Sequence, residues 1–520
     1  MNKLVTNLYF GKEAREKIRR GVDILEKAVG STLGARGKGV AIDKEYEQII
    51  IDDGVNVAKS IFLEDKGENT ALSIMREAAQ KTVDEVGDGT TATVILAHAL
   101  YTEGEKLIAT GIDPRAFVED IATDVEKATE LLNKQSIPIK TLEQKIQVAT
   151  ISCGEKSLGK LIGETIHKIG NDGVITVDKS KSGETGVDMQ EGMQWDRGLA
   201  SPYFITDPET MTATVEDGHV LVTDFELNTM QELLPLIKQM VEVKGLRFFT
   251  IIATEFGGDV LPSLIANKVQ GKFLGICVKA PSSGGQQTNM LQDIAILTGA
   301  TFITKAQGHK LEDVTIEHLG KADRISSSQT TSLISGGQGN KEKIKARIEE
   351  VKNLLKDETS SFEIERLKER IAKLSNGVAV IEVGGKTDVE IKERFERALD
   401  ATLATRQAVK KGIVAGGEVA YLPLIKEMKS VIVKKALEAP FKRLMSNAGL
   451  NSGQMLERLV KEPAGNGIDV TDGQVKEMIK SGIIDPTAVC ISALSNASSV
   501  ACRLLVTETI IVPPNEEVKK

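Results

Sequence analysis

The sequence predicts a multidomain α+β protein in which helical segments at the two ends of the chain enclose an α/β segment. Three observations support this prediction. The chain has 520 residues, more than one ordinary hydrophobic core accommodates. Apolar residues recur at helical spacing near both ends, whereas β-type segments alternate with helical patterns between them. Such an insert implies a discontinuous domain that contains both ends of the chain.

The first segment predicts a long helix followed by a glycine-rich turn. Residues 12–33 carry apolar side chains at helical spacing, including Ile18, Val22 and Leu25. The G-A-R-G-K-G run at 34–39 ends this helix. A short strand pair, VAIDK and QIIID, follows the turn.

Two further helices are predicted on either side of a polar turn. The first begins with Asn69 or Thr70 as its N-cap and stops at Gly87. The second runs from about residue 91 to about residue 105. The Asp-Gly-Thr-Thr turn at 88–91 therefore lies at a helix N-terminus, where backbone amides attract anions.

The middle of the chain, from about residue 150, predicts a separate α/β domain. The β-type segments GVITVD, FFTIIAT, FLGICVKA and TFITK are separated by helical patterns, as in βαβ units. Residues 341–374 predict a charged helical hairpin with i,i+4 pairs on a solvated face. Helical character then returns through ALDATLATRQAVKKG.

Charge and hydropathy argue against nucleic-acid and membrane partners. The chain has 66 Lys and Arg against 74 Asp and Glu, which leaves no basic footprint for nucleic acid or an anionic membrane. The start, MNKLVTNLYFGKEAR, has no apolar run typical of a signal peptide, and we expect no stretch of roughly 18 apolar residues elsewhere. We therefore expect a soluble, cytoplasmic protein.

The four cysteines predict neither a disulfide framework nor a zinc site. Cys153, Cys277, Cys490 and Cys502 are far apart and form no ligand spacing with histidine. We expect free and mostly buried thiols.

Two short motifs are candidates for binding phosphate. In T-L-G-A-R-G at 32–37, the glycines allow backbone amides to approach phosphate oxygens, although such a run is more often only a turn. In G-D-G-T-T at 87–91, a carboxylate and two hydroxyls accompany helix N-terminal amides. Asp88 can hold a hard cation such as Mg²⁺, and helix capping by Asp88 and Thr90 is the structural alternative.

Two further elements supply carboxylates. The pair Asp52-Asp53 precedes Gly54, and the A-G-G motif at 415–417 follows Asp400 along the chain. Isolated carboxylates are usually solvated surface groups. The occurrence of all four elements in one chain is what predicts a nucleotide site.

These elements lie within stretches that resemble the group I chaperonins (GroEL type) along essentially the whole chain. By the same resemblance, the absence of a Walker-type G-x-x-x-x-G-K-[ST] motif is expected. The matching stretches are TLGARGKGV, DDGVNVAKSIFLEDK, GDGTTATV, EGMQWDRGLASPYFITDPE, MLQDIAILTGA, RIAKLSNGVAVIEVGG, ATRQAVKKGIVAGGEVA and IIDPTAV.

The resemblance implies three domains and an ATP-dependent folding activity. A helical equatorial ATPase domain would comprise 1–134 and 411–520, a small α/β intermediate hinge domain 135–190 and 379–410, and an α/β apical domain 191–378. The implied function is to encapsulate and refold non-native polypeptides inside a ring-shaped oligomer.

Carried over position by position, the resemblance implies a site for ATP, Mg²⁺ and a candidate monovalent cation, K⁺. Asp88 would hold the metal. Asp400, with Asp53 assisting, would position or deprotonate the attacking water, and hydrolysis would depend on hinge closure. The residues implied to contact nucleotide are Thr32, Leu33, Gly34, Asp53, Gly54, Asp88, Gly89, Thr90, Thr91, Gly417, Asp469 and Asp485.

The resemblance also implies partners. Unfolded clients would bind an exposed apolar surface without sequence preference, and a co-chaperonin lid (GroES type) would compete for it. Two stacked seven-membered rings are the implied assembly. The implied client-binding residues are Leu199, Tyr203, Phe204, Leu234, Ile237, Leu261 and Ile265.

Several positions depart from the family pattern. Ala35-Arg36 replaces a Pro-Lys pair, Asp52 a lysine, Ala92 a threonine, Glu418 a glycine and Asp469 an asparagine. Leu199 replaces a tyrosine and Ala266 a valine in the client surface. The VPPNEEVKK end has no Gly-Met repeats, so we expect less filling of the ring cavity floor.

Two other functions remain open from the sequence. A divergent paralogue could hold unfolded chains with weak ATP cycling, and the departures at Ala92, Glu418 and the C-terminal segment motivate that alternative. A small-molecule kinase or ATP-dependent ligase would need a second polar pocket.

Overall fold

The computed structural model describes residues 6–44, 47–51, 53–170, 173–180, 182–208, 210–242, 248–358, 360–375 and 377–513. Its sixteen α-helices in this part of the chain are α1 Gly11–Gly30, α2 Gly54–Ser60, α3 Lys66–Val86, α4 Thr90–Ala109, α5 Arg115–Gln135, α6 Leu142–Cys153, α7 Lys156–Ile169, α8 Met230–Glu242, α9 Val260–Val269, α10 Gly284–Thr298, α11 Lys341–Asp357, α12 Ser361–Ser375, α13 Asp388–Lys411, α14 Val431–Asn447, α15 Ser452–Val460 and α16 Thr487–Leu505.

The strands are short and form several small sheets and one larger one. They are β1 Asn7–Phe10, β2 Val40–Lys44, β3 Glu47–Ile51, β4 Val174–Lys179, β5 Gly186–Gln190, β6 Gly192–Trp195, β7 Ala213–Val222, β8 Glu226–Leu227, β9 Phe249–Ala253, β10 Glu255–Phe256, β11 Ile276–Lys279, β12 Gly320–Ser327, β13 Ser332–Gly337, β14 Val378–Val383, β15 Ile413–Ala415, β16 Asn466–Asp469, β17 Gln474–Glu477, β18 Ile484–Pro486 and β19 Thr509–Val512.

The chain divides into two compact units, and the first is discontinuous. Unit 1 comprises 1–167 and 385–520, and unit 2 comprises 168–384. The helical base built from both ends of the chain is therefore present as expected. The boundaries between equatorial, intermediate and apical domains stay a prediction.

Unit 1 is built around a helical core. Residues from α1, α3, α4, α5, α14 and α16 form one buried cluster of mainly aliphatic side chains. Two-stranded sheets lie beside it, among them the β2–β3 hairpin, the β1–β19 pair and the β15–β18 pair. The predicted VAIDK and QIIID strand pair is present as β2 and β3.

The central helix of unit 1 corrects one expectation from hydropathy. Helix α16 is long and apolar enough to cross a membrane by length and composition, and it is the one such helix in the part of the chain that the structure describes. Two thirds of its apolar window is buried inside the protein. Its hydropathy reflects a core position, because helices α3, α4 and α5 pack against it.

Unit 2 is an α/β unit around a six-stranded sheet. The strand order is β11-β9-β7-β12-β13-β6, with β7, β9 and β11 parallel and the other pairs antiparallel. The sole tryptophan, Trp195, is buried there and donates its indole N–H to the Lys279 carbonyl at 3.1 Å. A three-stranded sheet, β4-β14-β5, belongs to the same unit. Helices α11 and α12 form the predicted charged hairpin.

Candidate nucleotide site

The first loop of the site follows α1 and is held by two other helices. Thr32 is buried, and its hydroxyl donates to the Val29 carbonyl at 2.8 Å. The same oxygen lies 3.3 Å from Thr91 Oγ1 at the start of α4. From α14, the amide of Asn447 donates to the carbonyls of Gly30 and Leu33, at 2.9 and 3.0 Å. The T-L-G turn therefore has a fixed position beside the G-D-G-T-T turn.

The second loop, Gly87–Gly89, needs glycine at both ends. Both glycines are left-handed, with φ of 78° and 94°. A Cβ on Gly87 would lie 2.7 Å from the Asp400 carbonyl oxygen, so the missing side chain lets α13 approach this loop. Between them, Asp88 accepts hydrogen bonds from the Gly89 amide at 2.6 Å and the Ser152 hydroxyl at 3.4 Å.

Asp53 and Gly54 form a third element at the start of α2. The Asp53 carboxylate caps this helix by accepting from the amides of Val55 and Asn56, at 3.2 and 2.9 Å. A Cβ on Gly54 would lie 2.3 Å from Thr91 Oγ1 and 3.5 Å from Thr32 Oγ1. Gly54 therefore lies where the two predicted phosphate loops meet.

The carboxyl group of Asp400 on α13 lies near those of Asp53 and Asp88. Burial raises the pKa of its carboxyl well above the ordinary value, and the nearby charges of Asp88 and Asp53 raise it further. Helix α13 is also tied to α2, because the Asn56 side-chain amide donates to Glu396 at 2.7 Å. The hinge-borne carboxylate implied by the resemblance is thus beside the other two in this structure.

Asp88 is both accessible and poorly solvated. Its side chain has exposed surface, yet desolvation by the surrounding protein raises its pKa, and the charge of Asp53 adds to the effect. The bonds from Gly89 and Ser152 act in the opposite direction. A cation beside this carboxyl group would favour its charged form and offset the effect of desolvation.

A second carboxyl pair, Glu418 and Asp485, borders the site. Burial raises the pKa of Asp485 to about 7, with a contribution from Asp88. Burial and the charge of Asp485 raise the pKa of Glu418 to about 8. Asp485 lies on β18 opposite Val414 of β15. Glu418 follows Gly417 and has a left-handed backbone, with φ of 62°.

Asp469 is occupied by its own hairpin. Partial burial alone would raise its pKa, but Lys476 at 2.6 Å and the Thr471 hydroxyl at 2.6 Å lower it to about 2. The segment that follows the β16–β17 hairpin still borders Gly417. A Cβ on Gly417 would lie 2.7 Å from Met478, the residue after β17. The position is near the predicted base end, but the carboxylate already has partners.

The residues present fit a magnesium–triphosphate group. Thr90 Oγ1, at the start of α4, is buried without a hydrogen-bond partner. Its hydroxyl therefore has no acceptor in the protein and could donate to a phosphate oxygen. No group of three or more His, Cys, Asp and Glu side chains among the described residues is arranged to hold a metal ion by itself. Mg²⁺ is commonly bound by one or two carboxylates together with phosphate oxygens, which matches this donor set.

A model of the TCP-1/cpn60 chaperonin family matches residues 25–246 and 264–515. The chain belongs to this chaperonin family. The match covers most of the chain, so it confirms the resemblance read from the sequence and assigns a chaperone function.

Solved structures agree on the fold of this chaperonin. The chaperonin gp146 from the bacteriophage EL 2 (Pseudomonas aeruginosa), in the presence of ATP-BeFx, matches with a TM-score of 0.68 in crystal form II, and the match covers 98% of this chain and 99% of that chain. Crystal form I matches with a TM-score of 0.60 over the same shares. The sequences are 22% identical in both cases. The structural matches confirm the multidomain α+β fold of chaperonins.

Three residues at the site were not predicted from the sequence. Ser152 donates to Asp88, Asn56 connects α2 to Glu396, and Asn447 positions the first loop. No local motif marks them, because each acts through a partner far away along the chain. Asp52, whose charge the sequence singles out, lies outside the described residues, as do residues 514–520 of the C-terminal segment.

The predicted client surface needs correction at two positions. Phe204 is fully buried against Phe273, and Leu199 is buried next to Val278 of β11. Both side chains therefore belong to the core of unit 2. Phe204 ends the short helical turn 202–204 and points inward where its neighbour Tyr203 points outward, and Leu199 forms an antiparallel bridge with Val278. Tyr203 is 76% exposed and Leu234 is 39% exposed, as expected. Ile237, Leu261 and Ile265 are partly buried.

Proposed function

We propose that this chaperonin hydrolyses ATP and uses the cycle to encapsulate and refold non-native polypeptides. The observation that supports the proposal most strongly is the convergence of Asp53, Asp88 and Asp400 beside the hydroxyls of Thr32 and Thr91. These groups come from four remote segments of unit 1. Their residue types match the needs of phosphoryl transfer, which depends on positioning and charge neutralisation.

The loops of the site supply the phosphate contacts in this proposal. The backbone amide of Gly34 and the N-terminus of α4 bind phosphate oxygens, as helix N-termini do. Thr90 and Thr91 add hydroxyls, and Gly54 leaves room for the hydroxyls of Thr91 and Thr32. Asp88 holds Mg²⁺, and that ion supplies neutralisation of phosphate charge. Gly417, Asp469 and Asp485 border the nucleoside end, and K⁺ is a further proposed cofactor.

Asp400 acts on the attacking water. Its raised pKa gives it an affinity for a proton that an ordinary aspartate lacks at neutral pH. A carboxylate that accepts a proton from water orients and activates it for attack. Asp53 supports this role from α2, where its position is fixed by the helix cap.

The exposed apolar residues of unit 2 carry the client-binding part of the proposal. Tyr203 and Leu234 offer apolar area to unfolded chains of any sequence, and the partly buried Ile237, Leu261 and Ile265 extend it. A co-chaperonin lid would compete for this surface. Heptameric rings, stacked in pairs, form the enclosing chamber. The presence of ATP-BeFx in the phage chaperonin crystals is consistent with nucleotide binding by this fold.

The test is steady-state phosphate release by the wild type and by Asp400→Ala. We expect turnover to fall by about 100-fold or more, the usual worth of a positioned acid–base group. The matched control is Glu393→Ala, which removes an exposed carboxylate from the same helix, where it pairs with Arg397. Turnover that is unchanged in Asp400→Ala would exclude the assigned role.

A holdase with weak ATP cycling is the second candidate, and Glu418 is the observation that favours it. This residue adds a carboxyl group to a site already crowded with negative charge. Refolding of a stringent client with ATP and a co-chaperonin separates the two functions. Recovery of client activity supports the folding chamber, whereas suppressed aggregation without recovery supports the holdase.

A further inference from the structure

A chain of buried polar side chains joins helix α16 to the Gly87–Gly89 loop. The Asn496 amide donates to Thr82 Oγ1 of α3 at 3.1 Å. Thr82 Oγ1 lies 3.0 Å from Thr93 Oγ1 of α4, and Thr93 Oγ1 lies 2.8 Å from the Gly89 carbonyl oxygen. Thr82 and Thr93 are fully buried and Asn496 is 8% exposed, so these groups have few partners besides one another.

The other end of the chain is a carboxylate at the surface. Asn496 also donates to Ser492 Oγ at 3.1 Å, and Ser492 donates to Glu85 Oε2 at 2.9 Å. An ionised carboxylate only accepts hydrogen bonds, so Glu85 fixes the direction of both donors. Lys81 lies 3.7 Å from Glu85 and forms an ion pair with it.

This direction determines what Thr82 can do. Because the Asn496 amide donates to Thr82 Oγ1, the Thr82 hydroxyl must direct its own proton elsewhere. Its two other neighbours are Thr93 Oγ1 and the Ala78 carbonyl, the latter at 3.1 Å. Thr82 donates to the Ala78 carbonyl, while Thr93 is within donating distance of both Thr82 Oγ1 and the Gly89 carbonyl oxygen. Because the Asn496 amide competes with Thr93 for the Thr82 oxygen, it favours donation from Thr93 to the Gly89 carbonyl.

Packing reinforces the same contact. Gly89 has a left-handed backbone, and a Cβ there would lie 2.8 Å from Val489 of α16 and 3.3 Å from Thr82 Cγ2. The Gly89 amide in turn donates to Asp88 at 2.6 Å. Helices α3 and α16 therefore hold the residue whose backbone orients the Asp88 carboxylate.

We propose that Asn496 is a positioning residue of the nucleotide site, acting through Thr82 and Thr93 on Gly89 and so on Asp88. The inference rests on the proposed ATPase function and deepens it. Partners behind a metal ligand typically contribute 10–100-fold to metal affinity or activity. Asn496, Thr82 and Thr93 lie outside the two phosphate-loop motifs and are not among the catalytic carboxylates.

The test uses Asn496→Asp, which keeps the shape of the side chain but replaces the donor by an acceptor. We expect the magnesium concentration for half-maximal ATP hydrolysis to rise about tenfold or more. The control is Ser498→Ala, a buried position on α16 whose hydroxyl contacts Cys502 of its own helix. An unchanged magnesium dependence in Asn496→Asp would overturn the proposal.

A double variant separates positioning from stability. In Glu85→Gln with Asn496→Asp, the repulsion between two carboxylates is removed and the thermal stability returns. The carboxylate introduced on α16 cannot donate to Thr82 Oγ1, so the Thr93 hydroxyl turns toward that oxygen and away from the Gly89 carbonyl, and the magnesium dependence stays shifted. Recovery of the magnesium dependence together with stability would show a merely structural effect and overturn the proposal.

Amide hydrogen exchange tests the same link without ATP. In the full-length protein without nucleotide, Asn496→Asp is expected to accelerate exchange at residues 87–93, and Ser498→Ala is not. Thr93→Val, which keeps the side-chain shape, should act like Asn496→Asp. Equal exchange in all proteins would overturn the network. A wild type without ATP hydrolysis would instead refute the proposed function, while the exchange comparison still decides the network.

Discussion

Four carboxyl groups of unit 1 lie close enough to affect one another, and the sequence around each residue does not predict this clustering. The charge of Asp88 contributes to the raised pKa of Asp400, Glu418 and Asp485, and burial is the larger cause in each case. An arrangement of this kind is unfavourable for folding by itself. It is typical of functional sites, where a bound cation or a transferred proton compensates the charge.

Glu418 gives a pH-dependent stability whose sign follows from its raised pKa of about 8. The folded protein keeps this proton between about pH 4.5 and pH 8, whereas the unfolded chain releases it, so stability falls as the pH rises through this window. Glu418→Gln removes the titration. We expect the variant to gain on the order of 2 kcal/mol relative to the wild type between pH 5 and pH 8.5.

The measurement is thermal unfolding of both proteins across that pH range, with chelator and without nucleotide. The wild type should lose stability toward the alkaline end more steeply than the variant. Parallel curves for the two proteins would contradict the raised pKa of Glu418.

The sequence predicts the existence of most elements better than their limits. Helix α3 begins at Lys66 with Asp65 as its cap, not at Asn69 or Thr70. The predicted cap was misplaced because Lys66 and Gly67 precede the apolar face, while Asp65 accepts from the amides of Gly67 and Glu68. Glu418 is left-handed, with φ of 62°, and it stands where the family pattern has a glycine, the residue that adopts this backbone most readily.

The N-termini of α2 and α4 lie so close together that one methyl group added at Gly54 should weaken ATP binding. Gly54→Ala would place a Cβ 2.3 Å from Thr91 Oγ1, so either the Thr91 side chain turns away from Thr32 or the N-termini of α2 and α4 separate. Such overpacking typically costs about 1–3 kcal/mol, and we expect ATP affinity to fall about tenfold. Isothermal titration measures this directly.

The matched control for this change is Gly453→Ala on α15. Its added Cβ would meet only Asn451 Oδ1 at 3.5 Å, an ordinary contact. Equal ATP affinity for Gly54→Ala and Gly453→Ala would contradict the placement of Gly54 between the two phosphate loops.

Three helices of unit 2 depend on one buried carboxylate. Asp293 of α10 is 1% exposed and accepts from Arg347 of α11 at 2.8 Å and from Arg370 of α12 at 2.9 Å. Asp293→Ala would leave two arginines without their buried partner, which typically costs about 3–5 kcal/mol. The change should appear as a lower urea midpoint of the fluorescence of Trp195, the sole tryptophan.

Glu349→Gln is the control for this prediction, because Glu349 pairs with Lys352 at the surface of the same hairpin. Surface pairs contribute little, so its urea midpoint should equal that of the wild type. A midpoint for Asp293→Ala that also equals the wild type would contradict the buried network.

At the scale of the whole molecule, the discontinuous layout and the family could be predicted from the sequence. The order of helical and strand-like patterns along the chain predicts a helical unit interrupted by an α/β insert. Units 1 and 2 have this organisation. The burial of Leu199 and Phe204 could not be predicted, since the identity of an apolar residue does not show whether its side chain faces solvent or the core.

Loops remote in sequence are proposed to converge on one magnesium-bound triphosphate. Cryo-electron microscopy of the full-length protein with Mg²⁺ and ADP-BeFx shows directly whether they do. We expect nucleotide density between the Thr32 loop and the start of α4, with Asp88 at the metal and Asp400 beside the terminal phosphate position. Density that excludes Asp88 and Thr32 from the same nucleotide would contradict it.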